Sequence, residues 1–259
     1  MAVEIRKMLL TSGQGGRPGK KVTPKGLVIH WTANENPKAD AVANRNYFEN
    51  HPQNKVSAHY IVDDCQVVQC LPEDELGYHV GAKQYKPAAL ERLSSYPNDC
   101  TIGIEICVNR DGNFSKTYQN SVALAADILH RRGWGADRLW RHFDITGKDC
   151  PRFFVDNGTA IFYGFSSASA GWDRFKTDVV IALVNLQQGN NRVETAKEVE
   201  VVAEGIRLII KGKEMKPDVP PQVVKVPGGD CVMVPLRFVS EALGHRVNWD
   251  GPTKTVSID

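Results

Sequence analysis

The sequence holds no apolar run near the ~20 residues that a membrane-spanning helix needs, so insertion into a bilayer is not expected. It has no large excess of charge of either sign: the formal net charge is +2. Nor does it carry a basic tract interleaved with aromatics, and nucleic acid is therefore not an expected partner. The opening stretch "MAVEIRKMLLTSGQGGRPGKK" has too few consecutive apolar residues for the core of a secretory signal. The expectation is a chain that does not export itself by the usual route. No tandem repeat occurs. Cysteines number six: Cys65, Cys70, Cys100, Cys107, Cys150 and Cys231. An even count argues for a disulfide framework only in short secreted chains, so reduced, mostly buried thiols are expected here. Cys100 and Cys107 stand at the two ends of one strand segment, too far apart to pair. Cys65 and Cys70 lie on facing hairpin arms and read as free thiols rather than a bridge.

What is present fits a globular protein of one large domain or one medium and one small. The chain has 259 residues, 42% of them hydrophobic and 24% charged. "GLVIHWTAN" reads as a buried strand, with Leu27, Ile29 and Trp31 on one face and Val28, His30 and Thr32 on the other. "DAVANRNYFENH" has helical spacing, with Ala41, Val42, Tyr47 and Phe48 as its inner face. "SAHYIVDDCQVVQCLP" predicts a hairpin turning at Asp63-Asp64. "TIGIEICVNRDG" predicts a strand ending in an Asp-Gly turn. "YQNSVALAADILHRRGWG" is an amphipathic helix stopped by Gly133. "DRLWRHFDI" reads as a short strand, and "AGWDRFKTDVVIALVNLQQ" as a further helix. Composition then changes: "GNNRVETAKE" is polar and reads as a linker. The tail predicts a hairpin, a short helix and a final hairpin. The fold expected is a mixed α/β domain over residues 1–190. A linker at 191–197 and a small α+β module over 198–259 follow.

One segment concentrates chemistry. "RHFDITGKDCPR" sets His142 and Cys150 eight positions apart, with Lys148 two before the cysteine. Three readings compete: a cysteine nucleophile with its base, two ligands of a metal, or unrelated surface residues. Two features elsewhere bear on the choice. His30 ends a strand. Glu105 sits inside "IGIEIC", where alternation turns it away from Ile102, Ile104 and Ile106. A carboxylate in so apolar a strand is costly unless a cation or a metal-bound water compensates it. Two histidines and a cysteine make a sound ligand set for a catalytic zinc, leaving the fourth tetrahedral position for water. A glutamate can move that water's protons, and a lysine can neutralise an oxyanion. His30, His142, Cys150, Glu105 and Lys148 therefore contain every part of a metal-assisted amide hydrolase.

"VIHWTAN", "SAHYIVDD", "GYHVGA", "TIGIEIC" and "RHFDITGKDCPR", in this order and at these separations, resemble the zinc-dependent N-acetylmuramoyl-L-alanine amidases of the phage-endolysin and peptidoglycan-recognition-protein superfamily. The resemblance covers roughly residues 20–185 and implies a mixed central sheet flanked by helices. It implies that His30, His142 and Cys150 bind zinc, that Glu105 is the general acid/base and that Lys148 stabilises the oxyanion. It implies that zinc-activated water cleaves the amide between N-acetylmuramic acid and L-alanine of peptidoglycan. A tyrosine that some relatives carry in the segment matching "SAHYIV" has no assigned equivalent, and Tyr60 reads equally as core. The tail is similar to the small stalk-like domain of copper amine oxidases. That likeness implies a module, for wall binding or self-association, and no copper site. Without an export signal, the layout suits an endolysin or autolysin held in the cytoplasm until its release to the wall.

The remaining histidines divide. His59 reads either as a substrate-binding pocket residue or as a satisfied core histidine, and His79, between glycines and aromatics, as part of a groove wall that binds substrate. His51, His130 and His245 read as surface residues. Two rivals stay in view. A cysteine peptidase using Cys150 and His142 has no need of His30 or Glu105. A non-catalytic recognition module typically lacks the cysteine ligand.

Overall fold

Residues 26–31 alternate so that both faces of the strand are apolar up to His30, which is what a strand buried within a sheet requires. In the computed structural model this segment is β2 (Gly26–Trp31), an interior strand of a six-stranded sheet. The structure describes residues 5–194, 208–211, 213–216, 222–226, 229–250 and 255–259. The chain divides into two compact units, Met1–Glu194 and Thr195–Asp259.

In the first unit the strands are β1 (Ile5–Lys7), β2, β3 (Tyr60–Val62), β4 (Val67–Gln69), β5 (Thr101–Ile106) and β6 (Leu139–Arg141). Their spatial order is β1-β4-β3-β5-β2-β6. The four strands from β3 to β6 run parallel, while β4 returns antiparallel to β3 and β1 lies parallel to β4. The sheet is thus mixed, and flanked by helices α1 (Ala41–Asn50), α2 (Pro87–Arg92), α3 (Phe114–Arg131), α4 (His142–Thr146), α5 (Asn157–Phe162) and α6 (Ala168–Glu194).

The two faces of the sheet are covered differently. Leu27, Ile29, Ile102, Ile104 and Ile106 project onto one continuous core with Leu124, Ile128, Phe153, Phe154 and Phe175 from α3, the segment after Cys150, and α6. Each fully buried side chain of this size contributes roughly 1.5–3 kcal/mol. The opposite face is covered by two separate clusters. Ile61 and Val68 pack under α1 at one end, and Val28 and Trp140 under α2 and α4 at the other. Between those clusters the carboxyl ends of β5 and β2 are left with polar side chains. That gap positions the candidate site, at the carboxyl edge of parallel strands where α/β proteins bind ligands.

Several expectations are revised. Tyr47, expected on the inner face of α1, is 47% exposed, whereas Ala41 is buried and Val42 and Phe48 pack on the second cluster. "DRLWRHFDI" is strand only to Arg141, and His142 opens α4. Helix α6 runs on to Glu194, so residues 191–194 of the expected linker are its final turn, and 195–197 lie outside the described residues. In the second unit β7 (Leu208–Ile210) pairs with β8 (Lys213–Met215), β9 (Gln222–Val226) with β10 (Gly229–Met233), and β11 (Val247–Asp250) with β12 (Thr255–Ile258), around α7 (Leu236–Leu243). The β9–β10 hairpin was not anticipated. Residues 199–207, read as the first strand of the tail, lie outside the described residues. Cys65, Cys70, Cys100, Cys107 and Cys150 are free thiols.

Asp63 ties the hairpin to α1. Its Oδ1 accepts from the backbone N–H groups of Cys65 and Gln66, both at 2.7 Å, and its Oδ2 from that of Ala41 at 2.9 Å. The turn therefore spans Asp63 to Gln66 and shares its carboxylate with the first residue of α1. Hydrogen bonds to a charged acceptor contribute about 1.5–3 kcal/mol each. Asp63→Ala should lower stability in urea unfolding by at least about 3 kcal/mol, equivalent to two such bonds. A loss under about 1 kcal/mol would mean that water replaces the carboxylate without penalty.

Candidate active site

The register of the sheet builds the site. β2 and β5 pair in parallel with His30 opposite Glu105, so both side chains leave the same face of neighbouring strands. α4 begins where β6 ends and brings His142 alongside. Gly147, at φ +85°, ends that helix in the left-handed conformation glycine favours, and the chain turns back. The Phe143 N–H donates to the Cys150 carbonyl at 2.9 Å, which fixes the returning segment.

The three side chains converge. His142 Nδ1 lies 3.1 Å from His30 Nδ1, and Cys150 Sγ lies 3.6 Å from the same nitrogen. One donor atom from each of the three falls within 4.8 Å of the others, and all three residues are buried. Lys148 is exposed at the rim and lines the same cavity as His30, Glu105, His142 and Cys150. The cavity measures about 540 Å³, and its walls include Trp31, Thr32, Asn34, Asn44, Tyr47 and Phe48.

Three buried side-chain polar atoms among the described residues have no hydrogen-bond partner: Thr32 Oγ1, Glu105 Oε2 and His142 Nε2. All three belong to this one cavity. Leaving such an atom unpaired costs about 1–3 kcal/mol, so their concentration marks a place built to receive something polar.

The electrostatics agree. Burial pushes the Glu105 carboxyl up to about 8, with the Lys148 charge pulling the other way. Burial holds His142 down at about 4, helped by Lys148, and holds His30 well below the usual imidazole range. Burial, reinforced by Glu105, raises the Cys150 thiol to about 12. Such a thiol keeps its proton at neutral pH and is no nucleophile by itself. A divalent cation among the three donors would reverse this: it stabilises the thiolate and the carboxylate, and neutral imidazoles already present lone pairs. The donor set fits zinc.

His59 does not reach the cavity. It is fully buried, its Nε2 donates to the Glu75 carbonyl at 2.9 Å and its Nδ1 accepts from the Gly103 N–H at 3.0 Å. With both nitrogens bonded to backbone it has none to offer a substrate. His79 does line the cavity, but its Nδ1 faces His30 Nε2 at 2.9 Å and its Nε2 faces the Thr101 carbonyl at 3.3 Å, so its polar atoms point inward. Tyr60 is core, with its hydroxyl on Glu73. Sequence reasoning missed Thr32, Asn34 and Asn44; their place in the polar loop after β2 and on the α1 face nearest it was the available signal.

Comparison with known proteins supplies the name for this arrangement. Residues 19–153, just over half of the chain, match the N-acetylmuramoyl-L-alanine amidase family. The chain belongs to that family. A probable N-acetylmuramoyl-L-alanine amidase of Bacillus licheniformis is 36% identical over 158 residues, which is 59% of this chain and 44% of that protein. The N-acetylmuramoyl-L-alanine amidase CwlH of Bacillus subtilis (strain 168) is 32% identical over 64% of this chain and 62% of its own length. The chain thus spans about half the length of the curated relatives it matches. The solved catalytic domain of XlyA superposes with a TM-score of 0.54 and 30% identity, covering 68% of this chain and 99% of that one. Residues 166–258 match the copper amine oxidase N-terminal domain. That match starts before α6, yet Trp172, Phe175, Val179 and Leu183 of α6 are buried in the amidase-family core. Packing therefore assigns α6 to the first unit. No helix among the described residues is long and apolar enough to cross a membrane.

The shifts predict how the metal-free protein responds to pH. His59 and His142, both held at about 4, stay neutral in the fold where the unfolded chain would take up protons below 6.5. Stability is therefore lost as pH falls from 6.5 through 4. Glu105, at about 8, keeps a proton that the unfolded chain loses near 4.5, so its contribution is lost as pH rises through 8. His30 and His79 add to the acid side, so the histidines outweigh the single glutamate there. Melting temperature in the presence of a chelator should peak near pH 6.5 and decline both ways. A steady rise from pH 5 to 9 would contradict these protonation states.

Proposed function

We propose that this protein is a zinc-dependent peptidoglycan hydrolase that cleaves the amide between N-acetylmuramic acid and L-alanine of the stem peptide. The observation that carries the reading is the convergence of His30, His142 and Cys150 beside an unpartnered Glu105 carboxylate oxygen, in an open cavity of an amidase-family domain. The names of the relatives, N-acetylmuramoyl-L-alanine amidases, support the bond class.

His30, His142 and Cys150 would hold the ion. Zinc, when bound, supplies a Lewis acid and a water of lowered pKa. Glu105 takes a proton from the attacking water and returns it to the departing amine nitrogen, which leaves as the free stem peptide. Glu105 stands opposite His30 in the register, beside the group of His30, His142 and Cys150 and not one of its three donors. The Lys148 ammonium at the rim neutralises the oxyanion of the tetrahedral intermediate. Tyr47 and Phe48, with Asn34, offer the apolar and hydrogen-bonding contacts a muramoyl-peptide needs along the cavity wall. The cysteine-peptidase alternative is disfavoured because burial raises the Cys150 thiol instead of lowering it, and because that alternative gives His30 and Glu105, which line the same cavity, no part. The second unit serves in this reading as a wall-binding or self-associating module, and the enzyme acts on the wall.

The masses of fragments released from purified peptidoglycan test the bond class: free stem peptides and peptide-free glycan support it, and cleavage within peptides or glycans contradicts it. Glu105→Gln tests the mechanism. The amide is nearly isosteric and Glu105 is not a ligand here, so zinc content and melting temperature should stay near wild type. Turnover should fall by roughly 10²–10⁴-fold, the usual contribution of general acid–base catalysis. Full turnover in that variant would remove Glu105 from the reaction.

A further inference from the structure

His79 has no part in the reaction above, yet its backbone and both ring nitrogens are held by partners within the protein. Its backbone N–H and that of Val80 donate to the Oδ1 of buried Asn98, at 3.1 and 2.8 Å. The ring lies directly on Gly103 of β5: a Cβ there would meet His79 Cγ at 2.7 Å and Nδ1 at 2.8 Å. No other residue type at 103 leaves room for the ring in this place. Thr101, Gly103 and Glu105 follow one another on the outer face of β5, so the imidazole lies along the strand with Glu105 beyond it.

The hydrogen bonds set the direction of its protons. His79 Nε2 faces two oxygens of Thr101, the carbonyl at 3.3 Å and Oγ1 at 3.4 Å. The carbonyl can only accept. The hydroxyl gives its own proton to the Pro97 carbonyl at 2.6 Å and so can only accept as well. Nε2 of His79 is therefore the protonated nitrogen, and its Nδ1 is a bare acceptor. That acceptor lies 2.9 Å from His30 Nε2, which must supply the proton. A neutral His30 protonated at Nε2 has an unprotonated Nδ1, and this is the atom that faces His142 and Cys150.

We propose that His79 is a positioning residue for the metal centre: by accepting the Nε2–H of His30 it fixes that ring in the tautomer and orientation that present Nδ1 to the ion. The proposal rests on reading His30, His142 and Cys150 as zinc ligands. The Thr101 carbonyl is the anchor of the relay, and Gly103 is the seat that lets it form. Partners of this kind orient a ligating histidine and raise its basicity, and removing them typically costs about 10–100-fold in metal affinity.

Two measurements on the full chain test it. The first is long-range ¹H–¹⁵N spectroscopy of the histidine rings in the metal-free wild type at neutral pH. His30 and His79 should both be Nε2–H tautomers; a proton on His30 Nδ1 overturns the proposal. The second is the zinc dissociation constant, by chelator competition, for wild type, His79→Phe and His79→Asn. Phe keeps an aromatic ring over Gly103 but offers no acceptor, and should weaken zinc binding about 10–100-fold. Asn restores an acceptor near the Nδ1 position and should recover most of that loss. A Phe variant that binds zinc as tightly as wild type overturns the proposal, as does equal weakening in both variants. If the Phe variant does not fold, the wild-type ring tautomers decide. Wild type that folds but binds no zinc overturns the ligand reading itself, an outcome distinct from intact binding without dependence on His79.

Discussion

Burying a polar side chain without a partner is costly, and the outer face of β5 and β2 concentrates that cost in a small area. The structure meets it in two ways. His59 and His79 spend both ring nitrogens on partners within the protein, so they are internal struts. Glu105, His142 and Thr32 keep atoms with no protein partner, and all three face one cavity. The apolar clusters on either side supply the low-polarity walls that hold the Glu105 carboxyl at about 8 and the Cys150 thiol at about 12. The same walls make a cation among the donors strongly favourable, because screening by water is reduced.

How much of this was readable from sequence follows from the range of the interactions. Alternation is local, so "IGIEIC" alone turned Glu105 away from the isoleucine face, and the structure has the core on that face. The stop at Gly133 and the hairpin at Asp63 are local too, whereas the order of the mixed sheet joins strands distant in sequence. The register that sets His30 opposite Glu105 joins segments 75 residues apart and leaves no trace in spacing. The ordered set of motifs carried that information through resemblance. The parts of His59 and His79 depend on backbone groups of distant residues, on Gly103 and Thr101 above all, and no periodicity announces them. Tyr47 was misread for a related reason. Helical spacing places it near the inner face of α1, but the cavity, not core, lies beside it.

The boundary between the units shows the same limit. A polar composition marked the linker from residue 189, yet backbone hydrogen bonding carries α6 to Glu194. The likeness to the copper amine oxidase domain begins at 166, although apolar packing binds the first half of α6 to the sheet. Composition and similarity each register where a sequence changes character; burial registers which side chains share a core.

The central claim is that two imidazoles and one thiolate, drawn from three separate elements, form a single zinc centre. X-ray absorption at the zinc edge of the stoichiometrically loaded protein tests it most directly. One sulfur at about 2.3 Å with two imidazole nitrogens at about 2.0–2.1 Å is the predicted shell. A shell without sulfur, or with two or more sulfurs, would contradict the assignment of His30, His142 and Cys150.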